Sequence, residues 1–173
     1  MIIGFFDESS PQTTSNSQRL WSFGHLTLTK NTTKIRANTF GFYPINGTPV
    51  LEFHDHSKKE DVCDFLNFIR KNNPVKPIVI ILDNFRSHHA TVTQLCALKC
   101  NIKLIFLPPY SPDLNPIEFI WKSIKRVISR TFIRNIDHMK EIILTEFEKF
   151  ASSLTFAKAW IHKFLEGVIS INI

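Results

Sequence analysis

Three acids in this chain stand where apolar runs give out. Asp83 follows Ile78-Val79-Ile80-Ile81-Leu82, and Asp7 follows the run Ile2 to Phe6. Glu118 comes after a third run, Ile102 to Leu107, and the string Pro108-Pro109-Tyr110-Ser111-Pro112-Asp113-Leu114-Asn115-Pro116-Ile117. Continuous β-branched runs of this kind read as strands buried on both faces, as in a parallel sheet. An acid straight after such a run lies at the strand's carboxyl end, where open α/β sheets build their sites. Carboxylates are hard oxygen ligands, and Mg²⁺ keeps several waters, so a few of them suffice to hold it. Two divalent cations about 3.5–4 Å apart can activate an oxygen nucleophile and stabilise a leaving oxygen at phosphorus. Asp7 and Asp83 from two neighbouring strands, with Glu118 from a helix over the strand ends, would make such a site.

Each acid also has a plainer use. Asp7 fits a strand-end Asp opening a turn. Asp83-Asn84 could cap a following helix, although a buried strand ending in an unpaired acid is costly, which favours function. Asn115-Pro116-Ile117-Glu118 places Asn at the N-cap, Pro at N1 and Glu at N3, the arrangement of a capping box. On the residues alone, Glu118 reads as that cap. Glu8 adjoins Asp7 but points the other way along a strand, which makes it solvent-facing. His88 could donate to a phosphate or hold Asn84, against the plainer reading of a polar surface residue. His54, Asp55 and His56 read as a strand-to-helix loop, because adjacent residues there rarely converge on one ion.

The elements that must position these groups follow in order. Ile2 to Phe6 is the first, central strand, and residues 8–18 are a polar loop. Trp21 to Lys30 and Ile35 to Tyr43 form a hairpin; Asn46-Gly47 then turns the chain into a strand over Pro49 to Phe53. Ser57 and Glu60 predict a capping box for a helix burying Val62, Phe65, Leu66 and Ile69, stopped at Asn72-Asn73-Pro74. After the Ile78 to Leu82 strand, Ser87 caps a short helix with Val92, Leu95, Cys96 and Leu98 inward. Ile102 to Leu107 is the last strand, and Pro108-Pro109 cannot continue a ladder. Three helices close the chain: Pro116 to Arg130, Asp137 to Phe150 and Phe156 to Val168. The first carries Ile117, Ile120, Trp121, Ile124, Val127 and Ile128 on one face.

Lys122 and Lys125 fall four and seven residues after Glu118, on its face of that helix and away from the apolar stripe. Between Phe119 and Lys140 stand Lys122, Lys125, Arg126, Arg130, Arg134 and Lys140, against the single acid Asp137. That stretch carries nearly all of the chain's formal +6. Solvated faces usually alternate sign, so one-signed charge beside a metal site suits a phosphate backbone. A chain of 173 residues with 43% apolar content is one folded domain. Cys63, Cys96 and Cys100 lack metal-ligand spacing and read as reduced thiols of an intracellular, cytoplasmic protein. No signal peptide and no membrane span is legible.

Asp83-Asn84, four residues before His88, and the Leu107 to Glu118 segment together resemble the catalytic domain of IS630/Tc1/mariner-type DDE transposases. Thirty-four residues separate Asp83 from Glu118, the family's interval, and Asp7 takes the place of its first acid. Trp21 and Gly24 resemble the family's hairpin segment. The resemblance implies an α/β, ribonuclease H-like fold, with a mixed central sheet of about five strands flanked by helices. It implies Asp7, Asp83 and Glu118 as catalytic metal ligands for two Mg²⁺ or Mn²⁺ ions, with Asn84 and His88 in support. Lys122, Lys125, Arg126 and Arg130 would meet DNA, both transposon ends and target duplex, and the active complex would be a homodimer. It turns Glu118 from a cap into a ligand. Full-length members carry helix-turn-helix domains ahead of the catalytic core, and none is legible here, so the chain is expected to be a single catalytic domain without specific end recognition. A ribonuclease H-like nuclease or resolvase, and a silent DNA-binding remnant, are the alternatives.

Overall fold

The β-branched and aromatic runs pair into one mixed sheet in the order β3-β2-β1-β4-β5. The computed structural model describes residues 1–13, 24, 31–109 and 111–165. β1 (Ile2–Ser9) is central and pairs antiparallel with β2 (Thr39–Pro44), which pairs antiparallel with β3 (Val50–Phe53). On its other side β1 pairs parallel with β4 (Ile78–Leu82), and β4 with β5 (Ile102–Phe106). The helices are α1 (Lys59–Asn72), α2 (Thr91–Lys99), α3 (Ile117–Arg130), α4 (Ile136–Ser153) and α5 (Thr155–Leu165). This is the expected ribonuclease H-like layout, a five-stranded sheet with helices on both faces. No helix among the described residues is long and apolar enough to cross a membrane.

Strand alternation splits the core in two. Ile2 and Phe6 of β1 join Phe40, Phe42, Ile78, Ile80 and Leu82 beneath α1, whose Val62, Phe65, Leu66 and Ile69 are buried as expected. Phe5 and Tyr43 face the other way, onto Ile117, Ile120, Trp121, Ile124 and Ile128 of α3 and Met139, Ile143 and Phe147 of α4. Asp7 shares the Phe5 face, and Glu8 the Phe6 face. Gly41 of β2 lies against the Trp121 indole, which stacks on Phe147 at 5.6 Å between ring centroids. A side chain at position 41 would strike that indole, so glycine lets α3 settle close on the sheet.

Several boundaries differ from the sequence expectations. β1 runs on to Ser9, so Asp7 lies inside the strand and Glu8 is not in a loop. β2 begins at Thr39; before it, Arg36 makes an isolated bridge with Gln12. The strand expected over Trp21 to Lys30, and the family-like Trp21, lie outside the described residues; Gly24 is described and exposed. The N-cap of α1 is Lys58, whose backbone N–H donates to Asp61 at 2.8 Å. Ser57 is instead drawn to Asn38.

The inward face of α2 is the clearest correction. Thr93 and Ala97 are buried, while Val92, Leu95 and Leu98 are exposed, Leu98 by 75%. Thr93 donates its hydroxyl to the Ser87 carbonyl at 2.8 Å, and Cys96 packs on the Cys63 carbonyl. Small residues bring α2 close to α1, and close approach outweighs the larger apolar side chains. The N-cap is Ala90, and the Ser87 hydroxyl is buried without a partner.

Candidate active site

The β1–β4 ladder sets Phe5 beside Ile81. Carried two residues further, the same parallel register sets Asp7 level with Asp83, just beyond the end of β4. From the other side α3 brings in Glu118. All three acids line one cleft of about 530 Å³, walled also by Asn84, Phe85, Ser111 and Asn115 and by the Leu107 to Pro109 turn. The sequence expected these acids to meet, and the fold brings them to the same cleft. Among the described residues, no group of three or more His, Cys, Asp or Glu side chains is arranged so that it could hold a metal ion as it stands.

The acids differ electrostatically. Asp7 is 8% exposed. Burial, and then the neighbouring charges of Glu118, Glu8 and Asp83, push its carboxyl well above the usual range. Burial also pushes Glu118 up, while Lys125 and Lys122 pull it back. Lys122 and Lys125 lie four and seven residues after Glu118 on α3, the spacing of one helix face. Asp83 goes the other way. Burial would raise it, but hydrogen bonds from His88 and the Phe85 amide, with the charges of His88 and His89, hold it below the usual value.

His88 is not a surface residue. Its ring is fully buried, with Nδ1 3.0 Å from the Asp83 carboxylate and Nε2 3.1 Å from that of Glu8. Burial alone would discharge it, but the hydrogen bonds and charges of these two acids raise its pKa to about 10. Both ring nitrogens then donate. Glu8 is correspondingly not solvent-facing: its side chain is 12% exposed and spends its charge on His88. Sequence reasoning missed this pair because an alternating strand shows which face a residue takes, and not what waits there. Asn84 is held by His89, at 2.9 Å, and by the Leu107 carbonyl, so His88 is not its partner.

Glu118 does not close a capping box. α3 has Pro116 at the N-cap with no side-chain cap, and Asn115 sends its Nδ2 to the Phe6 carbonyl at 3.3 Å instead. With no cap to satisfy, the Glu118 carboxylate is left to the cleft. A second anchor fixes the approach, where the Trp160 indole N–H donates to the Leu114 carbonyl at 2.7 Å. Lys122, Arg126 and Arg130 stand exposed along α3, with Lys125 half-buried. His54 is occupied by Glu52 and Asp61, at 3.1 and 3.7 Å, as befits a loop residue.

Residues 3–140 match the family model described as DDE superfamily endonuclease. The fold is shared with solved structures of the Mos1 transposase. The mariner Mos1 paired-end complex with Mg superposes with a TM-score of 0.70 at 16% identity, over 95% of this chain and 52% of that one. The Mos1 paired-end complex with left transposon end gives 0.65 at 15% identity, over 91% and 53%. The Mos1 catalytic domain with Raltegravir and Mg gives 0.63 at 13% identity, over 98% and 85%. A curated relative, the uncharacterized protein y4pE/y4sA of Sinorhizobium fredii (strain NBRC 101917 / NGR234), is 48% identical over 44 residues. That match spans 25% of this chain and 30% of the relative. The chain thus spans about half the length of the Mos1 chains seen with transposon DNA. With its three acids brought to one cleft and a family match over most of its length, the chain belongs to the DDE superfamily endonucleases.

Proposed function

We propose that this domain breaks and joins DNA phosphodiester bonds as the catalytic part of a Tc1/mariner-type transposase. The observation that carries the proposal is the β1–β4 register, which levels Asp7 with Asp83 while α3 delivers Glu118 to the same cleft. The donor set is all oxygen, which suits a hard divalent cation. A buried Asp7 crowded by other acids is also a concentration of like charge that a cation would relieve. Asp7, Asp83 and Glu118 would hold Mg²⁺ or Mn²⁺, as a pair, and bound ions would acidify the attacking water or hydroxyl and stabilise the leaving oxygen.

The chain's own residues prepare this chemistry. His88 keeps Asp83 ionised and fixes its orientation. The Lys122 and Lys125 charges keep Glu118 nearer its anionic form. Lys122, Lys125, Arg126 and Arg130 line one helix leading away from the cleft, where they suit a phosphate backbone and carry no base code. Joining two element ends calls for two copies of the site, so the active complex is proposed as a homodimer.

The test is a duplex with a recessed 3′ hydroxyl, incubated with Mn²⁺ and either wild type or Asp83→Asn. Joined products from wild type alone are expected. Cut but never joined products would reduce the activity to a nuclease. Untouched DNA, in the presence of metal binding, would overturn the reading.

A further inference from the structure

Asn115 is 2% exposed and forms part of the cleft wall with the three acids. Its Nδ2 donates to the carbonyl of Phe6, the residue before Asp7. That bond fixes the amide's orientation, because a flipped side chain would set oxygen against oxygen. Its Oδ1 is therefore an acceptor, and it is buried with no partner among the described residues. Buried side-chain acceptors are nearly always satisfied, so an orphan on the wall of a functional cleft asks for a donor from outside the protein.

The surroundings say which donor. Asp7, Asp83 and Glu118 offer only acceptors when ionised. Among the described residues, the Asn84 amide donates to the Leu107 carbonyl and the Ser111 hydroxyl to the Pro109 carbonyl at 3.3 Å, and neither satisfies the Asn115 oxygen. A cleft of unmatched acceptors with surplus negative charge fits a hydrated divalent cation, whose bound waters are strong O–H donors. We propose that Asn115 is a positioning residue of the metal site, its Oδ1 accepting a hydrogen bond from a water carried by the cation that the acids hold. Its place three residues before Glu118, tied to the strand that carries Asp7, couples the helix acid to the strand acid. The inference rests on the proposed reading of the acids as metal ligands.

The probe is Mn²⁺ alone, titrated calorimetrically into the whole chain and followed by its electron paramagnetic resonance, with melting temperature measured without metal. Asn115→Leu keeps the shape but removes the acceptor, and its Mn²⁺ affinity should fall by about 10-fold to 100-fold, the range typical of lost outer-shell partners. Asn115→Asp keeps an acceptor while losing the Phe6 bond. Its affinity should stay near wild type or rise, and the Mn²⁺ spectrum should stay close to that of wild type. A structural anchor predicts instead that Asp fails with Leu, because both lose the Phe6 bond, and that affinity follows melting temperature. Equal Mn²⁺ binding by wild type and Asn115→Leu overturns this inference and leaves the acids' role intact. Absence of Mn²⁺ binding by wild type overturns both.

Discussion

Gly41→Ala tests how α3 is seated, and therefore how Glu118 reaches Asp7. Gly41 is paired with Asp7 across the β1–β2 ladder, and Trp121 lies three residues after Glu118. A Cβ on Gly41 would come within 2.7 Å of two indole carbons, Cη2 and Cζ2, and within 3.1 Å of Phe147 Cε2. Ordinary carbon contacts sit near 3.5–4.0 Å, so the indole must retreat by about 0.8 Å or more. It has no room, being fully buried and stacked on Phe147. Overpacking of this kind costs about 1–3 kcal/mol. Alanine recovers about 0.5–1 kcal/mol of the strand's glycine penalty. The net loss, about 1 kcal/mol at mid-range and up to about 2.5, should lower the melting temperature by roughly 2–4 °C, and by up to about 10 °C, in a chain of this size.

Trp121→Phe removes both offended carbons, so the double variant should be more stable than the sum of the single effects by about 1 kcal/mol. Calorimetric melting of the four proteins measures this. The Mn²⁺-induced rise in melting temperature should also shrink in Gly41→Ala and return in the double variant, since α3 carries Glu118 with it. A Gly41→Ala protein melting within about 1 °C of wild type, or additive single effects, would refute the seating argument.

Asp7→Asn should stabilise the metal-free protein. A carboxyl whose folded pKa is raised favours folding below its ordinary pKa and loses that contribution as pH rises through the folded value. The variant's advantage should therefore be absent near pH 4 and grow as pH rises above the ordinary carboxylate range. Its slope is about 1.4 kcal/mol for each pH unit between the ordinary and folded pKa values, read from melting curves across that range. His88 behaves differently: its pKa is raised to about 10, so the stability it gives is complete below its ordinary value near 6.5 and disappears as pH passes through about 10. His88→Ala should cost about 3–5 kcal/mol in urea unfolding at pH 7, because it strands Glu8 beside an empty site, and a cost below about 1 kcal/mol would dismiss the bridge. Lys122→Glu with Arg126→Glu should weaken all duplexes alike in fluorescence titrations and flatten the log K against log salt slope by about 0.9 for each phosphate no longer neutralised. Weakening confined to one sequence would assign these residues to base reading instead.

Most of this layout was legible because the chain's patterns are unambiguous where the core is deepest. The β-branched runs became β1, β4 and β5, and the apolar stripe from Ile117 to Ile128 became the buried face of α3. Asp7 and Asp83 could be paired because both follow apolar runs, and parallel neighbours keep register. What pattern could not supply was competition among partners. Asn115 has the chemistry of an N-cap, but the Phe6 carbonyl, 109 residues away in sequence, claims its amide. Ser57 has a cap's chemistry too, and Asn38 takes it. Helix α2 shows the same limit in packing, because the closeness of α1 decided its inward face.

The charges around the cleft give the three acids unequal parts. Asp83 is kept anionic by a buried histidine that is itself held charged by Glu8. Glu118 has Lys122 and Lys125 to offset its burial. Asp7 meets desolvation, other carboxylates and one backbone hydrogen bond from Glu8, which together hold its carboxyl well above the usual range. On the proposed reading of the acids as metal ligands, a bound cation would offset that crowding. The instability is local by construction: β1 is the central strand, paired on both sides and buried on both faces, and it can carry an ill-placed acid that an edge strand could not. The acid least satisfied by its surroundings thus lies on the strand most firmly fixed.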